Sequence, residues 1–497
     1  MLGTYITFPE LFILIPLLGA LLCFGFKSPN GSKNIALATS LITLVVAFAA
    51  LFFTDEKYLT YNNVSYIWLK DLGTTYYVGL DGTGRLLTLL TAFAFPIIFG
   101  ATYNNEYKKP SSFYGLMLLS QVGLMGVFCA LDALVFYFYW ELALIPVYFL
   151  CSQWGGEKSI QATFKFFVYT FTGSLLMLVG IIYVYLHTPG RTFEDGTTAL
   201  HSFSLAAFEN ATISGAEQGW LFWLFFVAFA IKMPIFPFHT WQPDTYDQSP
   251  TAVTMVLSGV MVKMGLLGVL RWLIPIFPEA TLQYTNIVMV LCLIGIIYAS
   301  CLAIVEDNLK KLVAYSSIAH IGLMCAAIFA MNTLSVQGVL VQMFNHCINI
   351  IGLWIVVYFI ERKTGIKTIS ALGGIAQKAP ALTILLVIVA LANIALPLTN
   401  AFIGEFMMFA GIWQFNSWYA VIAGVSIILA AVYTLNMIQK IFYGDTNPNT
   451  ASIQDINFHQ KLVLSVIVVA IFLAGIYPQP LINLTKNAVN GLLAAMQ

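Results

Sequence analysis

Residues Trp220–Phe238 read WLFWLFFVAFAIKMPIFPF, an apolar run with Lys232 inside it and two prolines directly behind. A lysine at the centre of a membrane-spanning helix costs at least ~2.5–3.5 kcal/mol on insertion scales. The next run, Thr251–Trp272 (TAVTMVLSGVMVKMGLLGVLRW), holds a second one, Lys263. Glu141 and Glu405 stand in similar surroundings. Ionisable groups kept inside a membrane point to a proton or ion path. The chain around them is 60% hydrophobic and 9% charged, with a mean hydropathy of +0.86. That balance excludes a water-soluble domain and implies a polytopic membrane protein. Zero net charge gives no reason to expect nucleic acid as a partner. The seven cysteines fall in or beside apolar runs without a C-x-x-C pair, so they read as small hydrophobes rather than disulfide or iron–sulfur ligands.

About fourteen apolar runs are long enough to span, at ~20 residues each, and the fold class expected is all-α. The first, Phe8–Phe26, lacks a basic lead and a cleavage site, so it reads as a retained helix. Two runs are interrupted alike: the seventh by Lys232-Met233-Pro234-Ile235-Phe236-Pro237, the twelfth by Asn393-Ile394-Ala395-Leu396-Pro397-Leu398-Thr399-Asn400. Proline removes a helix hydrogen bond, and broken backbone at membrane depth is tolerated only within protein or beside a wet cavity. The two breaks lie five helices apart, which suggests two equivalent five-helix units, inverted because five is odd. The divisions expected are 1–111 (helices 1–3), 112–275 (first unit), 280–442 (second unit) and 443–497 (helix 14). Alternate loops divide the basic residues. One set holds Lys27, Lys33, Lys108, Lys109, Lys158, Lys310, Lys311, Arg362, Lys363, Lys367, Lys378, Lys440 and Lys461; the other holds Lys57, Lys70, Arg85, Arg191, Arg271 and Lys486. The richer set belongs in the cytoplasm, which turns both termini outward.

The residues expected to carry protons are Glu141, Lys232, Lys263, His320, His346 and Glu405. Each has a plainer reading. Glu141 could snorkel to a helix end, but Asp132 already marks that boundary and Glu141 lies about 13 Å deeper at 1.5 Å per residue. Apolar residues extend too far on both sides of Lys232 and Lys263 for easy snorkelling. Glu405 could be a charge resting on a half-helix dipole. His320 and His346, mid-span in consecutive helices, could be neutral packing groups, relay groups or a haem pair. His239, Asp244 and Asp247 read as entrance or capping groups near a loop. No nucleotide fingerprint occurs.

The runs YWELALIPVYF (139–149), IKMPIFPFHTW (231–241), PTAVTMVLSGVMVKMG (250–265), DNLKKLVAYSSIAHIGLM (307–324), NHCINIIGL (345–353) and NAFIGEF (400–406) resemble the antiporter-like subunits of respiratory complex I. The resemblance covers essentially the whole chain and is nearest the M type, relatives of mitochondrial NADH dehydrogenase chain 4. It implies a Glu141–Lys232 pair followed by a polar axis through Lys263, His320, His346 and Glu405. Glu rather than Lys at 405, and no long lateral helix after the last span, resemble the M type over the L and N types. Also implied are a proton-translocating role in an NADH:quinone oxidoreductase and a hetero-oligomer with L- and N-type neighbours and lipid. FMN and iron–sulfur clusters would sit in partner subunits and no cofactor in this chain, which would lie in a bacterial inner membrane with periplasmic termini. One departure stands out: after Trp241 the family usually has a histidine where this chain has Tyr246, with Gln248 near the usual acid. A proton-entry role for that histidine does not carry over. The rival readings are a D-type subunit of a multisubunit Na⁺/H⁺ antiporter and a haem- or quinol-binding redox subunit.

Overall fold

The computed structural model describes residues 6–26, 28–53, 62–193 and 196–494; Lys27 and Lys57, used above in sorting loop charges, lie outside them. Twelve described helices are long and apolar enough to cross a membrane. They begin with α1 (Phe8–Gly25), α2 (Pro29–Ala50), α3 (Gly82–Ala101), α4 (Pro110–Cys129), α5 (Ala133–Trp154) and α6 (Ser159–Tyr185). The seventh segment is interrupted, as α7 (Gly215–Lys232) and α8 (Trp241–Gln248). Then come α9 (Thr251–Leu273), α10 (Pro278–Val305), α11 (Leu309–Phe329) and α12 (Thr333–Thr364). The twelfth segment is again a pair, α13 (Pro380–Asn393) and α14 (Asn400–Phe415). It is followed by α15 (Ser417–Tyr443) and α16 (Phe458–Ile476). Twelve continuous helices and two interrupted segments are consistent with the roughly fourteen apolar runs expected. The short helix α17 (Gln479–Ala494) follows, with Thr485 and Val489 buried and Lys486 exposed, where the sequence reading placed no element.

The two longest connections also hold structure that apolar periodicity does not report. Strand β1 (Asn63–Leu69) pairs antiparallel with β2 (Thr74–Gly79). A second hairpin joins β3 (Arg191–Thr192) to β4 (Thr198–Ala199). Leu131 N–H donates to Tyr77 O (3.0 Å), so β2 supports the turn between α4 and α5.

Local chemistry recurs at matching places in the two halves. Asp132 caps α5 by accepting from the amides of Leu134 and Val135; Asn308 caps α11 through Lys310 and Lys311. Such caps satisfy amides that lack an intrahelical partner. Each capping residue also bridges to the strand-like segment after the following helix, at Ser204 and Thr368. The two breaks share one hydrogen-bond pattern. Met233 N–H reaches Phe229 O and Ile235 N–H reaches Ala230 O; Ile394 N–H reaches Ala390 O and Leu396 N–H reaches Leu391 O. A four-residue bond followed by a five-residue bond widens the last turn and ends it. Ala395 (φ 56°) and Leu398 (φ 74°) then take left-handed backbone in the second break. Both α9 and α15 finish in a wide π turn, at Val269–Leu273 and Gln439–Tyr443.

Helices α9, α11 and α12 are buried almost entirely and form the centre, while α1, α2, α6, α15 and α16 are mostly uncovered. That split matches apolar residues all round a helix: the central ones meet protein, the outer ones lipid. Gly265 lets α9 pass close to the end of α7 at the first break. A Cβ there would lie 2.7 Å from Phe229 O and 2.9 Å from Met233 Cβ.

Candidate functional site: a buried row of titratable side chains

Lys263 is fully buried on α9. Its Nζ donates to Ser258 O (3.2 Å) and to His346 Nδ1 (2.9 Å). Ser258 lies in an earlier π turn, Leu257–Met261, where the widened ladder leaves a carbonyl for a side chain to use. The other ring nitrogen of His346 lies 3.4 Å from Ser317 Oγ. With Nδ1 accepting from an ammonium, the ring proton sits on Nε2, an assignment made from the partners. The His346 and His320 rings are 5.8 Å apart between centroids. His320 Nδ1 is 3.1 Å from Glu405 Oε1, which also accepts from Gln342 Nε2 (3.3 Å). Four of the six expected residues therefore form one row from α9 across α12 and α11 to α14.

The remaining two stand together at the other end without touching. Lys232 is the last residue of α7 and 2% exposed, and its Nζ has no hydrogen-bond partner. It rests over the rings of Trp140 (5.5 Å) and Phe166 (5.9 Å), a cation–π setting. Glu141 Oε1 is buried and also unpartnered. The Glu141–Lys232 pair implied by the resemblance makes no hydrogen bond here.

Sequence reading missed the residues that hold the row in place. Helix α12 carries Gln342, Asn345, His346 and Asn349 on one face. Asn345 Nδ2 donates to Asn400 O (2.7 Å), Asn400 Nδ2 to Asn345 O (3.3 Å) and Asn349 Nδ2 to Ala392 O (3.2 Å). These bonds tie both ends of the second break to α12. The i, i+3, i+4, i+7 spacing was the available signal. At the first break Trp241 Nε1 donates to Ile231 O (2.9 Å).

Beyond α8 a polar cavity of about 1190 Å³ opens, lined by Lys158, Lys165, Lys310, Lys311 and Lys367 with Asp244 and Asp247 among others. Asp244 pairs with Lys165 (2.8 Å), and Asp247 with Lys367 (2.6 Å) and Asn308 (2.8 Å). The two acids therefore tie α8 to α6 and to the connections at Asn308 and Lys367 along the cavity wall. His239 is buried against the rings of Phe236 and Tyr298. Tyr246 is fully buried between Trp241 and Trp354, and its hydroxyl and the Gln242 amide have no protein partner.

Interrupted helices around buried ionisable side chains define a polytopic membrane protein with the helix layout found in transporters. Residues 130–430 match the family described as NADH:quinone oxidoreductase/Mrp antiporter, TM. The chain is 33% identical to NADH-quinone oxidoreductase subunit M of Rhodobacter capsulatus, over 94% of this chain and 92% of that one. A chain of respiratory complex I from Thermus thermophilus has the same fold, with TM-score 0.88 and 26% identity over 98% and 99% of the two chains. A chain of the Mrp complex of Dietzia shares the fold at TM-score 0.85 and 18% identity, again over 98% and 99%. The chain belongs to the NADH:quinone oxidoreductase/Mrp antiporter membrane-subunit family, on the side of the complex I M subunits.

Proposed function

We propose that this chain translocates protons in the membrane arm of an NADH:quinone oxidoreductase, as its M-type antiporter-like subunit. The observation that carries this reading is the buried row Lys263–His346–His320–Glu405, bonded at both ends and joined in the middle by an edge-to-face contact of the two imidazoles. Lysine, imidazole and carboxylate can each hold and release a proton, and hydrogen-bond distance separates Lys263 from His346 and His320 from Glu405. Glu141 and Lys232 form the loading end. Closing their gap stabilises the charged lysine; opening it returns Nζ to the aromatic faces of Trp140 and Phe166.

The redox chemistry belongs to other subunits: FMN and iron–sulfur clusters there, with L- and N-type subunits as neighbours in the membrane. We place the chain in a bacterial inner membrane with both termini on the periplasmic side, so that the lysine-lined cavity faces the cytoplasm. Residues 112–275 and 280–442 act as two inverted units, with 1–111 and 443–497 packed around them; the paired caps, breaks and π turns support that division. The D-type antiporter reading is carried by fold alone, whereas the M-subunit reading has sequence identity along nearly the whole chain.

The test is purification through a tag on this chain. Flavin and iron–sulfur subunits should co-purify, and the assembly should acidify vesicles when given NADH and a quinone. Antiporter subunits alone, with sodium-driven proton exchange, would overturn the reading. Glu141→Ala and Lys232→Ala should each remove most NADH-driven acidification from an assembled complex.

A further inference from the structure

The matching landmarks set the charged residues of the first unit against counterparts in the second. Glu141 follows the cap Asp132 by nine residues, and Ser317 follows the cap Asn308 by nine. Lys232 and Asn393 are the last residues of the two half-helices α7 and α13. Lys263 precedes the π turn starting at Val269 by six residues, and Tyr433 precedes the one starting at Gln439 by six. Glutamate, lysine and lysine are thus replaced by serine, asparagine and tyrosine.

Two of this neutral set, Asn393 and Tyr433, meet on Ser316, the chain neighbour of Ser317, while Ser317 itself faces His346. Asn393 Nδ2 and the Tyr433 hydroxyl both donate to Ser316 Oγ, each at 3.2 Å. All three side chains are buried. Tyr433 also faces a small cavity whose wall includes His320, Glu405, Ser300 and Ser426, with ≈ 10 Å³ of room for water centres. That is about the space one buried water takes up. His320 is 8% exposed and its Nε2 has no protein partner, whereas buried polar nitrogens are nearly always bonded.

We propose that this cavity holds one water, bonded at once to His320 Nε2 and the Tyr433 hydroxyl oxygen, and that Tyr433 is a positioning residue for the proton row. Tyr433 gives its own proton to Ser316, so its oxygen accepts from the water, and the second water proton goes to His320 Nε2. His320 is then held with its proton on Nδ1, aimed at Glu405 Oε1. The second unit has exchanged a carrier at this place for an anchor that sets the tautomer of the carrier beside it. The titratable groups around His320 are Glu405 on α14, His346 on α12 with Lys263 behind it on α9, and Tyr433 on α15. The water site stands on geometry alone; its functional role rests on the proton-path reading above.

Two measurements on the assembled complex test this. A density map that resolves waters should have a peak within hydrogen-bond distance of both His320 Nε2 and the Tyr433 hydroxyl; a map with ordered waters elsewhere and none here overturns the proposal. Tyr433→Phe keeps the ring and removes the anchor. It should lower coupled proton transport about tenfold, the scale seen when a group that orients an active histidine is lost, and should change the H₂O/D₂O ratio of turnover, which a packing role would leave alone. Ser316→Ala, a smaller change, should act in the same direction and carries the test if Tyr433→Phe does not assemble. Wild-type transport with an unchanged isotope ratio in the assembled variant overturns the positioning role. Normal transport in Lys263 or Glu405 variants would instead refute the proton row itself, whatever the map contains at this site.

Discussion

Lys263→Arg separates a carrier from a fixed charge. Lys263 Nζ and His346 Nδ1 are 2.9 Å apart. If both were charged, the repulsion at an effective dielectric of ~20 would be about 6 kcal/mol, from 332/(20 × 2.9). Moving one proton against ~150–200 mV costs roughly 3.5–4.6 kcal/mol. The pair therefore holds one positive charge at a time, and forcing a second onto it stores enough free energy to expel one. Arginine is always protonated, so Lys263→Arg would keep His346 neutral for good. In vesicles holding the assembled complex, NADH-driven acidification should fall at least tenfold, given that ~1.4 kcal/mol is a tenfold change. Lys263→Met should be equally damaging to transport, and by leaving His346 Nδ1 and Ser258 O unpaired it should also cost stability, ~1–3 kcal/mol for each group. Native gels and thermal unfolding of the complex separate that loss from transport. Full acidification by assembled Lys263→Arg would refute the reasoning and leave Lys263 as an electrostatic fixture.

Glu405→Gln keeps an oxygen near His320 Nδ1 but cannot release a proton, so acidification should drop to a small residue of wild type while the complex assembles; equal rates would reduce Glu405 to a helix-end charge. Gly265→Ala places a methyl 2.7 Å from Phe229 O and 2.9 Å from Met233 Cβ, and overpacking of that kind should destabilise by ~1–3 kcal/mol, read as a lower unfolding temperature. Asp455, in the loop before α16, accepts from the amides of Ala381 (3.0 Å), Leu382 (3.2 Å) and Ile456 (2.8 Å). Burial pushes its carboxyl up, but these amide bonds outweigh that and hold it below the usual range. A depressed carboxylate stabilises the fold above its unfolded pKa and loses that contribution as pH falls through its folded value. The protection of the amides at the start of α13, taken relative to their intrinsic exchange at each pH, should therefore fall on acidification through the carboxylate range, and Asp455→Ala should show faster exchange than wild type already at neutral pH, a change of at most about 1 kcal/mol at so solvated a loop. An unchanged rate in Asp455→Ala would remove that role.

The sequence by itself determined the membrane class, the apolar segments, both breaks and the six titratable residues, because each is a local property. Twenty apolar residues must span, and a proline must interrupt. A lysine such as Lys232 or Lys263 is conspicuous wherever its neighbours are apolar. The family was legible for the same reason, since its motifs surround those residues. The two hairpins were not, because strands as short as Arg191–Thr192 leave no usable period. Only the tertiary structure decided how the six residues associate. Lys263, on α9, meets His346 on α12, and His320 on α11 meets Glu405 on α14. Such contacts depend on helix rotation and crossing, which spacing along one helix does not specify. Packing also decided that Glu141 and Lys232 stand apart, since the aromatic faces of Trp140 and Phe166 offer the ammonium another place to rest. The same physics hid Ser316, Asn393 and Tyr433. A neutral polar side chain in an apolar run is unremarkable until two distant helices bring their hydrogen bonds to one oxygen on a third.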